Sequence, residues 1–245
     1  MTASAPAPVY CAIDTPDVAH ACTLAGRLHG IGLGIKLGLE FFSAQGPKGV
    51  AEVMKAVGDG ELFLDLKYHD IPNTVAAALR AAMPLAPRIV NVHATGGRDM
   101  MRAAAEAARE GAAKAGVTPP QIIAVTVLTS LDSADMESMG VIGGVGEQVV
   151  RLATLAREAG LDGVVCSAHE IAPIRRALGT DFLLVTPGIR PAGAAQGDQK
   201  RVMTPADAVG AGADVLVIGR PITAAADPAA AARDIMAECA GAKPV

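Results

Sequence analysis

The sequence ELFLDLKYHDIPNT, residues 61–74, contains one complete transition from a strand to a helix. The run from Glu61 to Lys67 predicts a strand, and Pro72 begins an alanine-rich, amphipathic segment that is typical of a helix. Similar units recur along the whole chain, each a short apolar or β-branched run followed by a helical segment. The predicted strands are Val9–Asp14, Gly32–Gly38, Glu61–Lys67, Arg88–His93, Gln121–Leu128, Gly163–Ser167, Asp181–Thr186 and Asp214–Gly219.

The number and spacing of these units predict an α/β fold, a single (β/α)8 TIM barrel. The chain has 245 residues, and about 31 residues for each of eight units suits a parallel strand-helix repeat. The alternative is a doubly wound open sheet, but its glycine-rich dinucleotide turn is missing after the first strand, where the chain has Asp14-Thr15-Pro16-Asp17. We expect residues 9–240 to form the barrel domain and residues 1–8 to form a flexible N-terminal tail.

Composition argues against several classes of function. Lys and Arg number 21 and Asp and Glu 25, a net charge of −4, and only 2% of residues are aromatic, so binding to nucleic acid is disfavoured. The longest stretch without a charge, residues 115–131, contains two prolines and is not a membrane span. The four cysteines and His69, His93 and His169 lack metal-ligand spacing, so we expect no metal. Met1–Pro8 does not resemble a signal peptide, and we expect a cytoplasmic protein.

Charged side chains are predicted at the mouth of the barrel. Alternation along the third strand directs its leucines towards the helices, and it directs Asp65 and Lys67 towards the interior. Asp14 and Lys36 lie at or near the ends of the first two strands, and Asp70 follows shortly after Lys67. A solvated ion-pair network would explain any one of these charges. For all five together we favour an active-site cluster, in which a lysine kept protonated by carboxylates can face a developing negative charge.

A second group of residues follows the last two strands. The loops Thr186-Pro187-Gly188-Ile189-Arg190 and Ile218-Gly219-Arg220-Pro221 combine glycine with arginine. These two loops most often bind phosphate in a TIM barrel, because glycine exposes backbone N–H groups and arginine offers a planar pair of donors. An ordinary turn and a surface ion pair remain alternatives, but the paired positions favour a phosphorylated ligand.

The segment Asp65-Leu66-Lys67-Tyr68-His69-Asp70-Ile71-Pro72-Asn73-Thr74 resembles the Asp-x-Lys-x-x-Asp-Ile-Pro-Asn-Thr signature of the orotidine 5′-phosphate decarboxylase family. The resemblance extends over nearly the whole chain. It includes Ala12-Ile13-Asp14, Ile35-Lys36, Val125-Thr126-Val127-Leu128-Thr129-Ser130, Thr186-Pro187-Gly188-Ile189-Arg190-Pro191, Gly197-Asp198-Gln199 and Val217-Ile218-Gly219-Arg220-Pro221.

This resemblance implies a carboxy-lyase that removes CO2 from orotidine 5′-monophosphate to give uridine 5′-monophosphate, without a metal or organic cofactor. Lys67 would stabilise the vinylic carbanion and protonate it, and Asp65 would lie against the departing carboxylate. Lys36 and Asp70 would complete the alternating charges. The enzyme would be a homodimer in which Asp70 and Thr74 reach the neighbouring site.

The resemblance also implies the substrate-binding residues. Asp14 and Lys36 would bind the ribose hydroxyls, and Thr129 would bind the edge of the pyrimidine. Residues 189–199 would form a closing lid over the phosphate. The phosphate would be bound by Arg190, Gln199, Gly219 and Arg220, and Pro187 would also bind the substrate.

Two alternatives stay open on the sequence. One is a metal-dependent phosphosugar enzyme on the same barrel, such as an epimerase, an aldolase-like synthase or a β-keto acid decarboxylase. Such an enzyme would be expected to have further metal-ligating carboxylates or histidines near the Asp65-Leu66-Lys67 strand. The other is a nucleotide-binding barrel that has lost its chemistry.

Overall fold

Eight parallel strands close into a barrel in the computed structural model, which describes residues 8–191 and 203–242. Each strand pairs with its neighbours in chain order, and the last pairs with the first. The strands are β1 (Val9–Ile13), β2 (Gly34–Gly38), β3 (Leu62–Tyr68), β4 (Ile89–His93), β5 (Gln121–Val125), β6 (Gly163–Val165), β7 (Leu183–Thr186) and β8 (Val215–Ile218). The predicted TIM barrel is confirmed, and the closed strand order rules out the open sheet.

Helices cover the outside of the barrel between successive strands. They are α1 (Val18–Leu28), α2 (Leu39–Val57), α3 (Pro72–Ala82), α4 (Gly97–Ala115), α5 (Ser133–Ser138), α6 (Val145–Glu158), α7 (Ile171–Leu178), α8 (Pro205–Gly210), α9 (Arg220–Thr223) and α10 (Pro228–Gly241). Within the described residues, no helix has both the length and the apolar character that crossing a membrane requires. Of the expected N-terminal tail only Pro8 is described, and its carbonyl accepts a hydrogen bond from the Leu216 N–H at 2.9 Å.

The two faces of β3 pack against different parts of the protein. Leu62, Leu64 and Leu66 are buried against the surrounding helices, as the alternation predicts. Phe63 instead belongs to a separate cluster inside the barrel, where its ring meets the Tyr10 ring edge to face, with centroids 5.9 Å apart. A Cβ at Gly34 would lie 2.3 Å from the Tyr10 ring, so this large side chain fits only because Gly34 has none. The packed interior closes the barrel below the ends of the strands.

The connections after β2 and β5 differ from the sequence prediction. The amphipathic pattern after the second strand predicts a helix over Ala44–Val57, but helix α2 begins at Leu39. It bends at Gly46, whose φ of 61° interrupts the helix just before Pro47. Strand β5 is expected to reach Leu128 but ends at Val125, and the segment after it contains the unpredicted helix α5. A reciprocal capping box between Asp132 and Asp135 starts α5, and a helix this short leaves little periodic signal.

Candidate active site

A chain of alternating charges lies at the carboxyl ends of β1, β2 and β3. Asp65 lies at its centre: its Oδ2 is 3.0 Å from Lys36 Nζ, and its Oδ1 is 2.6 Å from Lys67 Nζ. Lys36 Nζ also lies 3.6 Å from Asp14 Oδ1. Lys36 and Asp65 are buried, whereas the Lys67 side chain is 30% exposed and that of Asp14 is 61% exposed. The sequence-predicted residues Asp14, Lys36, Asp65 and Lys67 therefore form one cluster that opens towards solvent at Lys67 and Asp14.

The two buried members of this cluster hold each other ionised. Burial alone would raise the pKa of the Asp65 carboxyl, but the positive charges of Lys36 and Lys67, together with hydrogen bonds, bring that pKa well below its usual range. Burial likewise opposes the charge of Lys36, yet the Asp65 and Asp14 carboxylates raise the pKa of its ammonium above the ordinary value. Gly38 leaves room for the Lys36 ammonium group, because a Cβ at position 38 would lie 3.1 Å from Lys36 Nζ. At neutral pH, Asp65 is a carboxylate and Lys36 an ammonium.

Strand β3 is irregular where it carries the cluster. Leu64 pairs with Val90 and Tyr68 pairs with Val92, so residues 65–67 of β3 face Asn91 alone on β4. Lys67 has a φ of 48°, a left-handed conformation that is uncommon for a residue with a side chain. The buried Asn91 spans the gap: its Oδ1 accepts the Lys67 backbone N–H at 2.8 Å, and its Nδ2 donates to Asp65 Oδ1 at 2.7 Å.

Sequence reasoning missed Asn91, although a signal was present. Residues 89–93 read IVNVH, in which one carboxamide lies among apolar residues before the strand ends at His93. A buried polar side chain in such a strand needs a partner, and the sequence alone does not reveal which. Thr223 was missed as well; it lies in the short helix α9, next to the arginine loops.

An apolar cavity of about 190 Å³ lies on one side of the cluster, and we call it the apolar lobe. Asp65, Lys67, Asn91 and Thr129 are the polar residues on its wall. Mostly apolar walls with a few convergent polar groups are typical of a site for a small molecule. The other lining residues are Phe63, Val125, Val127, Leu128, Val165, Cys166, Val185, Pro187 and Val217.

A second, more open cavity of about 430 Å³ lies on the other side of Asp65, and we call it the polar lobe. Both lobes are lined by Asp65, Pro187 and Val217, so they are two parts of one site. The polar lobe brings together the ends of β1 and β2 and the loops after β7 and β8. Its remaining lining residues are Ala12, Asp14, Lys36, Gly188, Arg190, Gly219, Arg220 and Thr223.

The two arginines of the polar lobe differ in how they are held. Arg190 is buried, its side chain donates to the Ile189 carbonyl at 2.8 Å, and its backbone N–H donates to the Met203 carbonyl at 3.0 Å. Arg220 is exposed at the start of α9. Gly188 has a φ of 79°, which favours glycine in this turn. The lobe thus offers one fixed and one exposed guanidinium to an anion.

Three predicted site residues are not part of either lobe as described. Asp70 and Thr74 are exposed on the segment that follows β3, and Asp70 Oδ1 accepts the Ile71 N–H at 2.6 Å. Gln199, and the expected lid from residue 192 onwards, lie outside the described residues. The other predicted residues line the two lobes: Asp14, Lys36, Asp65, Lys67, Thr129, Pro187, Arg190, Gly219 and Arg220.

Across residues 8–191 and 203–242, no group of three or more His, Cys, Asp or Glu side chains is arranged to hold a metal ion. His69 and His93 lie side by side, with ring centroids 5.4 Å apart. Burial, with the nearby His69 and Lys67, lowers the pKa of His93 below its ordinary value.

Comparisons with known proteins agree with this geometry. Residues 7–235 match the sequence model of the "Orotidine 5'-phosphate decarboxylase / HUMPS family". The chain is 63% identical over 234 residues to an orotidine 5'-phosphate decarboxylase of Rhodospirillum rubrum, covering 96% of this chain and 94% of that protein. It is 57% identical to one of Paramagnetospirillum magneticum, covering 94% and 97%. A crystal structure of orotidine 5'-phosphate decarboxylase from Lactobacillus acidophilus superimposes with a TM-score of 0.84 at 35% identity, covering 95% of this chain and 98% of that one.

Proposed function

Because the chain belongs to the orotidine 5'-phosphate decarboxylase / HUMPS family, we propose that it converts orotidine 5′-monophosphate to uridine 5′-monophosphate and CO2 in pyrimidine nucleotide synthesis. One observation carries the proposal: the Lys36–Asp65–Lys67 cluster lies where the apolar lobe meets the polar lobe. A nucleotide with its ring in the first and its phosphate in the second has its reacting carbon at this cluster.

The two lobes fit the two ends of the substrate. The apolar lobe accepts the pyrimidine, with Thr129 at its edge, and the polar lobe accepts the ribose phosphate. Asp14 and Lys36 bind the ribose hydroxyls, since they line the polar lobe next to Asp65, which borders both lobes. Gly219, Gln199 and the guanidinium groups of Arg190 and Arg220 bind the phosphate, and Pro187 also contacts the substrate.

The reaction breaks the bond between C6 of the pyrimidine and its carboxylate carbon. The electron pair stays on C6 as a vinylic carbanion with no adjacent carbonyl to accept it, so electrostatic stabilisation carries much of the barrier lowering. The Lys67 ammonium supplies that stabilisation and then donates a proton to C6, which leaves its amine neutral until water returns a proton. The products are CO2 and uridine 5′-monophosphate.

Asp65 raises the free energy of the bound substrate before the bond breaks. Its carboxylate stays ionised in a buried position, and the substrate carboxylate enters beside it. Repulsion between the two is relieved when CO2 leaves, and the CO2 departs into an apolar surrounding. Lys36 keeps Asp65 ionised from the opposite side, where its Nζ is 3.0 Å from Oδ2.

Asp70 and Thr74 act in the neighbouring site of a homodimer. Both side chains are exposed on the segment that follows β3, and Ile71 between them is 66% exposed, which suits a surface covered by a second subunit. Mixing Lys67→Ala subunits with Asp70→Ala subunits should then restore part of the activity, because some hybrid dimers contain one intact site. Failure to restore activity despite proven subunit exchange would contradict this role of Asp70.

Turnover of the purified chain tests the proposed activity directly. Incubation with orotidine 5′-monophosphate should change the pyrimidine absorbance and release CO2, at a rate that excess chelator leaves unchanged. Loss of activity in chelator that added Mg²⁺ restores would favour a metal-dependent enzyme. Binding of the nucleotide with no turnover over hours would favour a nucleotide-binding barrel without chemistry.

A further inference from the structure

We propose that Asn91 is a positioning residue for this reaction: it holds the Asp65 carboxylate and the Lys67 backbone in the arrangement that decarboxylation needs. The proposal rests on the proposed function, because it concerns the same two residues. Asn91 itself faces the cluster from the neighbouring strand and is 1% exposed.

The first step concerns the backbone of β3. Opposite Asn91 the β3–β4 ladder loses its regular register, and a strand N–H at such a bulge loses its ladder partner. The Lys67 N–H is the group affected, and the Asn91 side-chain carbonyl accepts it at 2.8 Å. Because Lys67 is in the left-handed region, with a φ of 48°, its conformation persists only while the surroundings hold it. Asn91 supplies that constraint from a different strand.

The second step concerns the Asp65 carboxylate. Oδ1 receives two donors, Lys67 Nζ at 2.6 Å and Asn91 Nδ2 at 2.7 Å, while Oδ2 faces Lys36 Nζ at 3.0 Å. The Asn91 donor is the only one of these three that carries no charge. It therefore fixes the rotation of the carboxylate without adding a charge that would compete with the ammonium groups.

These two contacts act together because one side chain makes both. The amide group ties the position of residue 67 to the position of the Asp65 carboxylate. An apolar residue at this point would pack well in the barrel interior, as Ile89 and Ile123 do. A carboxamide in that place therefore indicates a task other than packing.

The experiment compares Asn91→Ala with the wild type, using orotidine 5′-monophosphate. We expect kcat to fall about 10²-fold, because a misplacement of about 1 Å at reacting groups costs that much. KM should stay within about threefold, since the polar lobe is untouched. Val92→Ala is the matched control: it truncates a buried side chain of the same strand that faces the helices, so it lowers the melting temperature but leaves kcat near the wild type.

Asn91→Asp provides a readout that a merely structural role would not move. It keeps the acceptor for the Lys67 N–H but faces Asp65 with a second carboxyl, whose pKa rises because of the like charge. Once protonated, that carboxyl donates to Asp65 as the carboxamide does. As the pH is lowered from about 8 to about 5.5, the ratio of the wild-type kcat to the Asn91→Asp kcat should therefore decrease. The same ratio for Asn91→Ala should stay constant. Lys36, Lys67 and His93 also border the cluster, so wild-type kcat measured at each pH serves as the reference for both variants.

The outcomes separate the two proposals. An inactive wild type overturns the proposed function. If the wild type is active and kcat of Asn91→Ala lies within threefold of the wild-type kcat, only the positioning role is overturned. The same holds if Asn91→Ala raises KM and leaves kcat unchanged. If circular dichroism shows that Asn91→Ala does not fold, the pH dependence of the nearly isosteric Asn91→Asp decides: a narrowing deficit supports the proposal, and a constant ratio to the wild type contradicts it.

Discussion

The apolar lobe and the polar lobe differ in what builds them. Strands β3 to β8 contribute most of the apolar lobe, and side chains on neighbouring strands hold its charged residues, as Asn91 does for Asp65 and Lys67. The polar lobe depends on the loops after β7 and β8, which contribute glycines and arginines to its wall. Strands fix a geometry, and loops can adjust around a ligand.

This difference predicts that the two lobes contribute to different steps, the apolar lobe to the reaction and the polar lobe to substrate binding. Groups that act on the reacting carbon belong to the rigid part, where a small shift is costly. The groups that we propose to bind the phosphate lie on loops, and binding energy from such a remote group can be used to bring a site together around its substrate. Substitutions in the two lobes should therefore change different kinetic constants.

The largest effect is expected for Lys67→Ala in the apolar lobe. The variant loses both the charge that stabilises the carbanion and the acid that protonates it, so kcat should fall at least about 10⁴-fold with KM little changed. Single-turnover kinetics with orotidine 5′-monophosphate measure this loss. Lys114→Ala, which removes an exposed lysine of α4, is the control and should match the wild type. If kcat of Lys67→Ala falls tenfold or less, the apolar lobe does not contain the group that the reaction depends on most.

The second prediction concerns the contribution of the Asp65 charge to the stability of the folded protein. Asp65→Asn leaves two ammonium groups without their shared partner, so the free energy of unfolding at pH 7 should fall by about 3 kcal/mol. The pKa of Asp65 is lowered on folding from an ordinary 3.8, so its contribution is present above that pH and is lost as the pH falls below it.

Urea unfolding of both proteins at several pH values measures this contribution. The difference between wild type and Asp65→Asn should be constant above about pH 5 and should shrink below pH 3.8. Equal stabilities at pH 7 would mean that Asp65 does not stabilise the cluster, and that its burial serves the reaction alone.

The sequence predicts some features of this arrangement and not others. The barrel and the positions of Asp65 and Lys67 follow from the strand period and the recurrence of the units, which are local signals. The β3 bulge and the Asn91 contacts depend on how residues 65–67 pair with β4, and no local pattern encodes that register. Helix α5 was missed because it is shorter than the span over which helical periodicity is visible.

A third prediction tests the polar lobe. Arg220→Ala should lower kcat/KM for orotidine 5′-monophosphate about 10²-fold, because a charge-assisted contact to the phosphate is lost. For orotidine, which has no phosphate, the same substitution should change kcat/KM less than about threefold. Arg102→Ala, on the exposed face of α4, is the matched control. A similar loss on both substrates would show that Arg220 acts on the ring end, and the separation of the lobes would fail.

The smallest effect is expected for Thr129, the polar residue that the segment after β5 brings to the edge of the apolar lobe. Since it lies beyond the strands, it should behave as a binding group even though it borders the reacting ring. Thr129→Ala should lower kcat/KM about tenfold through loss of one hydrogen bond to the pyrimidine, and Thr129→Ser, which keeps the hydroxyl, should stay within about threefold of the wild type. If Thr129→Ala lowers kcat as strongly as Asn91→Ala does, then position on a strand or on a loop does not decide which kinetic constant a residue controls.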